Sequence, residues 1–153
     1  MMNLCAKIVE RLQGRTVVTA ESITAGGIGA ALTAISGSSA VYKGGIIAYT
    51  DWVKHNVLGV NIKLLEEVGA VSATVAKQMA HGARRVLESD IAVSVTGLAG
   101  PLGDEFGNSV GTVYIGYADY RRTEAREYHF SGTREDIRNQ TIYAALELIL
   151  EYN

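Results

Sequence analysis

The sequence has little of several features that define other classes of protein. Its 153 residues include one cysteine, Cys5, so no disulfide can form within the chain, which is typical of a reducing compartment. There is one proline, and charges of the two signs nearly balance at a formal net charge of −2. Without a basic surplus, nothing in the overall composition favours nucleic-acid binding.

Long apolar segments are also missing. No segment approaches the roughly 20 consecutive apolar residues of a membrane-spanning helix, so we expect no membrane association. The first thirteen residues carry interspersed charges and lack the apolar centre of a signal peptide, which predicts a cytoplasmic protein. With 48% hydrophobic and 20% charged residues, residues 1–153 are expected to form one globular domain.

Hydrophobic patterning predicts helices and strands in alternation. The strand-like runs are 15–20, 44–50 and 91–95, with a later pair at 109–118 and 124–130 that predicts an antiparallel hairpin. The helix-like segments are 3–13, 24–35, 51–58, a turn near 62–67, 73–88 and a last helix after Thr133, with Ser72 and Thr133 as N-caps of the two long helices. This order is typical of an α/β domain with a mostly parallel sheet covered on both faces, which the hairpin makes mixed.

Three predicted strands end in polar segments. The segments are Glu21 to Gly27, Tyr49-Thr50-Asp51 with Lys54 one turn later, and the glycine-rich stretch Thr96 to Gly103. Ligands of open α/β sheets bind at the carboxyl ends of the strands. If the three strands are parallel, these segments meet at one edge and form a site there.

The first segment offers a candidate nucleophile. The spacing favours Thr24 as the N-cap of the helix that follows, whereas Ser22 precedes that cap. Ser22 is either ordinary loop polarity or a nucleophile with helix N–H groups nearby to hold an oxyanion.

A nucleophilic serine also needs a base. None of the three histidines, at positions 55, 81 and 129, has an evident partner. Lys54 is either a solvated surface lysine or a base whose pKa is lowered by its surroundings.

Other motifs are less specific. The glycine loop could hold a phosphate but matches neither a P-loop nor GxGxxG. Arg134 and Arg138 are four residues apart and share a helix face, where they either bind an anion or pair with acidic neighbours. Asp104 and Glu105 are adjacent, which is a poor arrangement for a metal, and no Cys/His cluster is present.

Taken in order, the segments resemble a known family. The stretches that carry the resemblance are TAESITAGG at 19–27, GGIIAYTDWVKHNVLGV at 44–60, GAVS at 69–72, MAHGARR at 79–85, SDIAVSVTGLAGP at 89–101, VGTVYIG at 110–116 and SGTREDIRNQTIYAALELIL at 131–150. Together they resemble the CinA C-terminal-domain family, which includes stand-alone nicotinamide mononucleotide deamidases. The resemblance implies a three-layer α/β/α domain with a mixed sheet, amide hydrolysis of that nucleotide, no metal or other cofactor, and a homodimer.

The resemblance also implies roles for particular residues. The catalytic set is Ser22 as nucleophile, Lys54 as base, and Tyr49 and Thr96 positioning the amide or the lysine. The substrate-binding set is Glu21, Thr24, Gly26, Gly97, Ala99, Gly100, Arg134 and Arg138. Within these, an arginine and the glycine loop are expected to bind the phosphate, and a nearby arginine to help keep Lys54 neutral. N–H groups at the start of the 24–35 helix are expected to hold the oxyanion, while Glu21 either orients the turn or contacts the ribose.

The chain departs from the family pattern in places. Ala25, Ile23 and Asp51 replace a frequent Gly, a frequent Cys or Leu, and a frequent Asn, and Asn108-Ser109 stands where a basic residue and a proline are usual. The change at Asn108-Ser109 is expected to weaken contacts with the substrate phosphate or within the loop. The competing hypothesis is a non-catalytic nucleotide-binding module of the same fold.

Overall fold

Five strands form a single mixed sheet in the computed structural model, which describes residues 1–153. The strands are β1 (Val17–Glu21), β2 (Tyr42–Ile47), β3 (Ile91–Gly97), β4 (Thr112–Ala118) and β5 (Thr123–His129). Their spatial order is β2-β1-β3-β4-β5, with β1 parallel to both β2 and β3. Strand β4 is antiparallel to both β3 and β5, so four of the five strands point the same way. The predicted α/β class with a mixed sheet is confirmed.

Six α-helices cover the sheet. They are α1 (Met2–Arg11), α2 (Gly27–Thr33), α3 (Asp51–Asn56), α4 (Ile62–Val68), α5 (Ala73–Val86) and α6 (Arg134–Glu151), with a 3-10 turn at Ser38–Ala40. The residues near 62–67 thus form a complete helix rather than one turn. None of the helices combines the length and the apolar character needed to cross a bilayer.

Alternation along the strands divides the core into two layers. Successive strand residues face opposite sides of a sheet. Val17 accordingly packs with α1, α2 and α6, while Val18 packs with α4 and α5. The same alternation separates Val93 from Ala92 on β3. The domain therefore has the three layers α/β/α.

Two of the three predicted helix caps are confirmed. The Ser72 hydroxyl accepts the N–H of Val75 at 3.1 Å, and Thr133 forms a reciprocal capping box with Asp136. The prediction for Thr24 is wrong, because the helix begins later, with Gly26 at the N-cap position and a φ of 96°. Glycine adopts such a left-handed conformation without steric cost.

The strand and loop limits differ slightly from the prediction. Strand β2 starts at Tyr42 and stops at Ile47, so Tyr49 lies beyond its end. Thr96 and Gly97 belong to β3 rather than to the loop. That loop is closed at its base by backbone hydrogen bonds of Leu98 with Thr112 and Gly111. The three polar segments do come together at one sheet edge.

Candidate active site

A cavity of about 260 Å³ lies at the carboxyl ends of β1, β2 and β3. Eight of the predicted site residues line it: Ser22, Tyr49, Lys54, Thr96, Gly97, Ala99, Gly100 and Arg134. Four do not: Glu21, Thr24, Gly26 and Arg138. Six further residues complete the wall: Ile23, Asp51, Ala70, Val71, Leu98 and Leu102.

The floor of this cavity is a pair formed by Ser22 and Lys54. Ser22 directly follows β1, and its N–H is held by the carbonyl of Val95 on β3 at 3.1 Å. Lys54 comes from α3, and its Nζ lies 3.0 Å from Ser22 Oγ. The Lys54 side chain is 1% exposed and Ser22 is 8% exposed. The two segments thus bring a hydroxyl and an amine into hydrogen-bond contact away from bulk water.

The surroundings of Lys54 favour its neutral form. Burial lowers the Lys54 pKa to about 8, against a smaller opposing effect of the Asp51 carboxylate. Nζ also contacts the carbonyl oxygens of Ala48 at 2.8 Å and Tyr49 at 3.5 Å. The prediction that a nearby arginine helps to lower the Lys54 pKa is wrong, because burial is what lowers it.

Glu21 shapes the turn that carries Ser22. Glu21 is 1% exposed, and its carboxylate accepts the N–H groups of Gly26, Ile28 and Gly29, each at 3.0 Å. It also accepts the Thr24 hydroxyl at 2.5 Å. Of the two roles expected for Glu21, these contacts favour orienting the turn over contacting a ribose.

These contacts overturn part of the expectation that the N–H groups at the start of the 24–35 helix hold an oxyanion. Glu21 already occupies those of Gly26, Ile28 and Gly29. The N–H groups of Ile23 and Thr24 donate no hydrogen bond within the chain. In hydrolases with a nucleophile on a sharp strand-to-helix turn, the N–H after the nucleophile stabilises the oxyanion, and Ile23 holds that position here.

The two arginines of α6 do different things. Arg138 donates to the carbonyl oxygens of Ile23 at 3.1 Å and Thr24 at 3.2 Å, so it holds the Ser22 turn from behind. Arg134 lines the cavity and donates to the Gly100 carbonyl at 2.7 Å and to the Tyr49 hydroxyl at 3.3 Å. Arg134 is therefore the arginine placed to meet a ligand.

Thr96 and the glycine loop build the opposite wall. The Thr96 hydroxyl donates to the Ala70 carbonyl at 2.8 Å and makes no hydrogen bond with Lys54. Asn108 donates to the Val71 carbonyl at 3.3 Å and to the Asp104 carboxylate at 2.7 Å. The departure at Asn108 thus lies outside the cavity lining and ties the loop to the wall.

Some lining residues could not be predicted from the ends of the strands. Ala70 and Val71 lie between α4 and α5, so no strand end marks them. Asp51 lies in the second polar segment, where the sequence does not distinguish a ligand-binding carboxylate from an ordinary first-turn acid. Histidines do not take part, because none of the three lines the cavity. No group of three or more His, Cys, Asp or Glu side chains is placed to hold a metal ion.

The fold and the site together define an α/β protein with a buried serine–lysine pair at the carboxyl edge of its sheet. A family model described as the CinA C-terminal domain matches residues 2–153. The chain belongs to that family.

Curated CinA-like proteins are similar to this chain over most of its length. The chain is 47% identical over 135 residues to a CinA-like protein of Endomicrobium trichonymphae, covering 88% of this chain and 32% of that protein. A CinA-like protein of Rippkaea orientalis is 49% identical over 143 residues, covering 91% of this chain and 34% of that protein. The chain thus spans about a third of the length of these curated relatives.

Solved structures agree with the fold. The competence/damage inducible protein CihA of Agrobacterium tumefaciens superposes with a TM-score of 0.94 at 38% identity, covering 98% of this chain and 93% of that one. A CinA superfamily protein of Escherichia coli superposes with a TM-score of 0.96 at 32% identity, covering 99% of this chain and 90% of that one.

Proposed function

We propose that this chain hydrolyses the carboxamide of nicotinamide mononucleotide to nicotinate mononucleotide and ammonia, with Ser22 as nucleophile and Lys54 as base. The observation that carries the proposal is the 3.0 Å contact between Ser22 Oγ and the buried Lys54 Nζ in the cavity. An amine with a pKa of about 8 is partly neutral near physiological pH, so it can accept the serine proton. The choice of substrate rests on the family.

The first half of the reaction forms an acyl-enzyme. Ser22 Oγ attacks the carboxamide carbon while its proton passes to Lys54 Nζ. The N–H groups of Ile23 and Thr24 are free to stabilise the oxyanion, an effect of about 3 kcal/mol per donor. Lys54 then returns the proton to the amide nitrogen, the C–N bond breaks and ammonia leaves.

The second half releases the product. Lys54 accepts a proton from a water molecule that attacks the ester carbon. The tetrahedral intermediate then collapses with Ser22 Oγ as the leaving group, and Lys54 returns the proton to that oxygen. The pyridinium ring withdraws electrons from the carboxamide throughout, which makes its carbon more electrophilic.

Arg134 supplies the anion-binding part of the site. Lys54 and Arg134 are the two cations among the lining residues, and Arg134 is exposed while Lys54 is buried. The guanidinium is fixed to the glycine loop through Gly100 and to Tyr49. Its planar fork of donors suits a phosphate, so we assign the 5′-phosphate to Arg134 and the 97–100 backbone.

The test is ammonia release from nicotinamide mononucleotide without added metal. The parent chain should release ammonia, and Ser22→Ala and Lys54→Met should each lower the rate by about a thousandfold or more. Circular dichroism should show both variants folded. Binding of the nucleotide without ammonia release by the parent would overturn the proposal in favour of the non-catalytic module. The homodimer implied by the family stays a prediction.

A further inference from the structure

Asp51 places an unpartnered carboxylate on the cavity wall. It is the first residue of α3, it is exposed, and it lines the same cavity as Ser22 and Lys54. No hydrogen bond reaches its carboxylate, and it forms no ion pair. The neighbouring Thr50 caps the helix instead, by accepting the N–H of Val53. The Asp51 carboxylate is therefore available to a ligand.

The cavity thus carries separate charges of both signs. Besides the buried Lys54, the charged lining residues are Asp51 and Arg134, both of which are exposed. Arg134 contacts only neutral groups of the chain, namely the Gly100 carbonyl and the Tyr49 hydroxyl. Neither Asp51 nor Arg134 forms an ion pair within the chain, which suits a ligand with one positive and one negative group.

Asp51 lines the cavity one helical turn before Lys54 on α3. Its charge acts on Lys54, one turn along the same helix, and Lys54 in turn contacts Ser22. A carboxamide carbon placed against Ser22 Oγ brings the ring that bears the carboxamide into the field of Asp51. Arg134 is on α6, anchored to the glycine loop. The anion of the ligand then lies toward Arg134 and the ring toward Asp51.

We propose that Asp51 is a specificity determinant that selects carboxamides whose ring carries a fixed positive charge, a role that rests on the proposed function. A pyridinium ring gains a favourable interaction with the carboxylate, and a neutral ring of the same shape does not. The same charge difference separates nicotinamide mononucleotide from its reduced dihydro form, which keeps the carboxamide, the ribose and the phosphate.

The selection acts on binding more than on chemistry. Attack by Ser22 generates an oxyanion, which a nearby carboxylate disfavours. Asp51 therefore contributes to substrate affinity rather than to stabilisation of the transition state. For a charge pair at a solvent-accessible wall we expect a gain of about fivefold in affinity.

The experiment measures equilibrium binding by calorimetry in a Ser22→Ala background, which prevents turnover. Nicotinamide mononucleotide and its reduced form are titrated against Ser22→Ala alone and combined with Asp51→Asn or Asp51→Glu. We expect Asp51→Asn to weaken binding of the oxidised nucleotide about fivefold and leave the reduced form unchanged, and Asp51→Glu to retain the preference. Glu135→Gln is the matched control, an exposed first-turn acid of α6 that does not line the cavity.

The alternative is that Asp51 serves only the dipole of α3, as first-turn acids do. In that case Asp51→Asn lowers the melting temperature and changes both affinities equally, which would overturn the proposal. Equal affinity of the unsubstituted site for the two nucleotides, or no binding of either, would also overturn it. Because binding is measured without turnover, failure of the parent chain to release ammonia refutes the hydrolase proposal separately.

Discussion

Lys54 Nζ lies 3.0 Å from Ser22 Oγ although 32 positions separate the two residues in the sequence. The other contacts of Nζ are carbonyl oxygens, of Ala48 and Tyr49. A neutral amine has two N–H bonds and one lone pair. With the two N–H bonds directed at the carbonyls, the lone pair faces the Ser22 hydroxyl and can accept its proton.

The first prediction concerns the pH dependence of hydrolysis. Lys54 acts as a base only when deprotonated, and its pKa is lowered to about 8. The rate constant kcat/KM should therefore rise about tenfold per pH unit below that pKa and level off above it. Initial rates of ammonia release, measured at pH values below and above this pKa, define the rising part of the profile, its acidic limb. Lys54→Arg keeps the positive charge but cannot deprotonate, so it should be inactive at every pH. An unchanged limb in a variant lacking Lys54 would assign the base to another group.

A second prediction concerns the effect of Asp51 on that limb. The Asp51 carboxylate raises the Lys54 pKa, opposing the larger effect of burial. Asp51→Asn removes this charge, so the acidic limb of the rate profile should move to lower pH. The same ammonia assay measures it, with Glu135→Gln as the control that leaves the limb in place. A limb that moves to higher pH would contradict the assigned electrostatics.

The third prediction links Lys54 to stability. Between pH 8 and 10 the unfolded chain holds a proton on Lys54 that the folded chain lacks, because the folded pKa is about 8 against an ordinary value of 10.5. The free energy of unfolding should therefore rise with pH, on the order of 2 kcal/mol over this window. Above pH 10 the raised pKa of Tyr117, about 12, acts in the opposite direction. Urea unfolding of the parent and of Lys54→Met isolates the contribution of the lysine, because the variant should lack this rise in unfolding free energy with pH.

Much of the fold could be predicted from local pattern. Buried strands such as Ile91–Gly97 and the hydroxyl caps at Ser72 and Thr133 express local rules, so their positions were found to within a few residues. The start of α2 was missed because a side chain from the preceding strand, Glu21, satisfies its N–H groups. Sequence spacing does not show a cap that comes from another element.

The site was predictable where strand ends define it and not elsewhere. Ser22 and Thr96 follow from the rule that ligands bind at the carboxyl ends of parallel strands. Ala70 and Val71 come from a connection between two helices, which Thr96 and Asn108 hold in place. The depressed pKa of Lys54 depends on burial, which the sequence around Lys54 does not reveal.

The fourth prediction concerns Glu21. In Glu21→Gln an amide N–H₂ group replaces an oxygen that accepts backbone N–H groups, so buried donors face each other. The variant should lose about 2–3 kcal/mol of unfolding free energy in urea titrations, together with most of its activity, because the Ser22 turn loses its support. Glu66→Gln, on an exposed position of α4, is the matched control. Parent-like stability of Glu21→Gln would show that the carboxylate contributes little.

The last prediction separates the two arginines of α6. Arg138→Ala removes the two hydrogen bonds that Arg138 donates to the carbonyl oxygens of Ile23 and Thr24 in the Ser22 turn. It should lower both kcat and the unfolding free energy, the latter by about 1–3 kcal/mol. Arg134→Ala removes the exposed cation of the cavity and should raise KM about tenfold while leaving the melting temperature near that of the parent. The measurements are steady-state kinetics and thermal unfolding. Each variant is the control for the other, because the two positions are four residues apart on one helix. If Arg134→Ala lowered kcat at constant KM, its role would lie in the chemical step rather than in holding the phosphate.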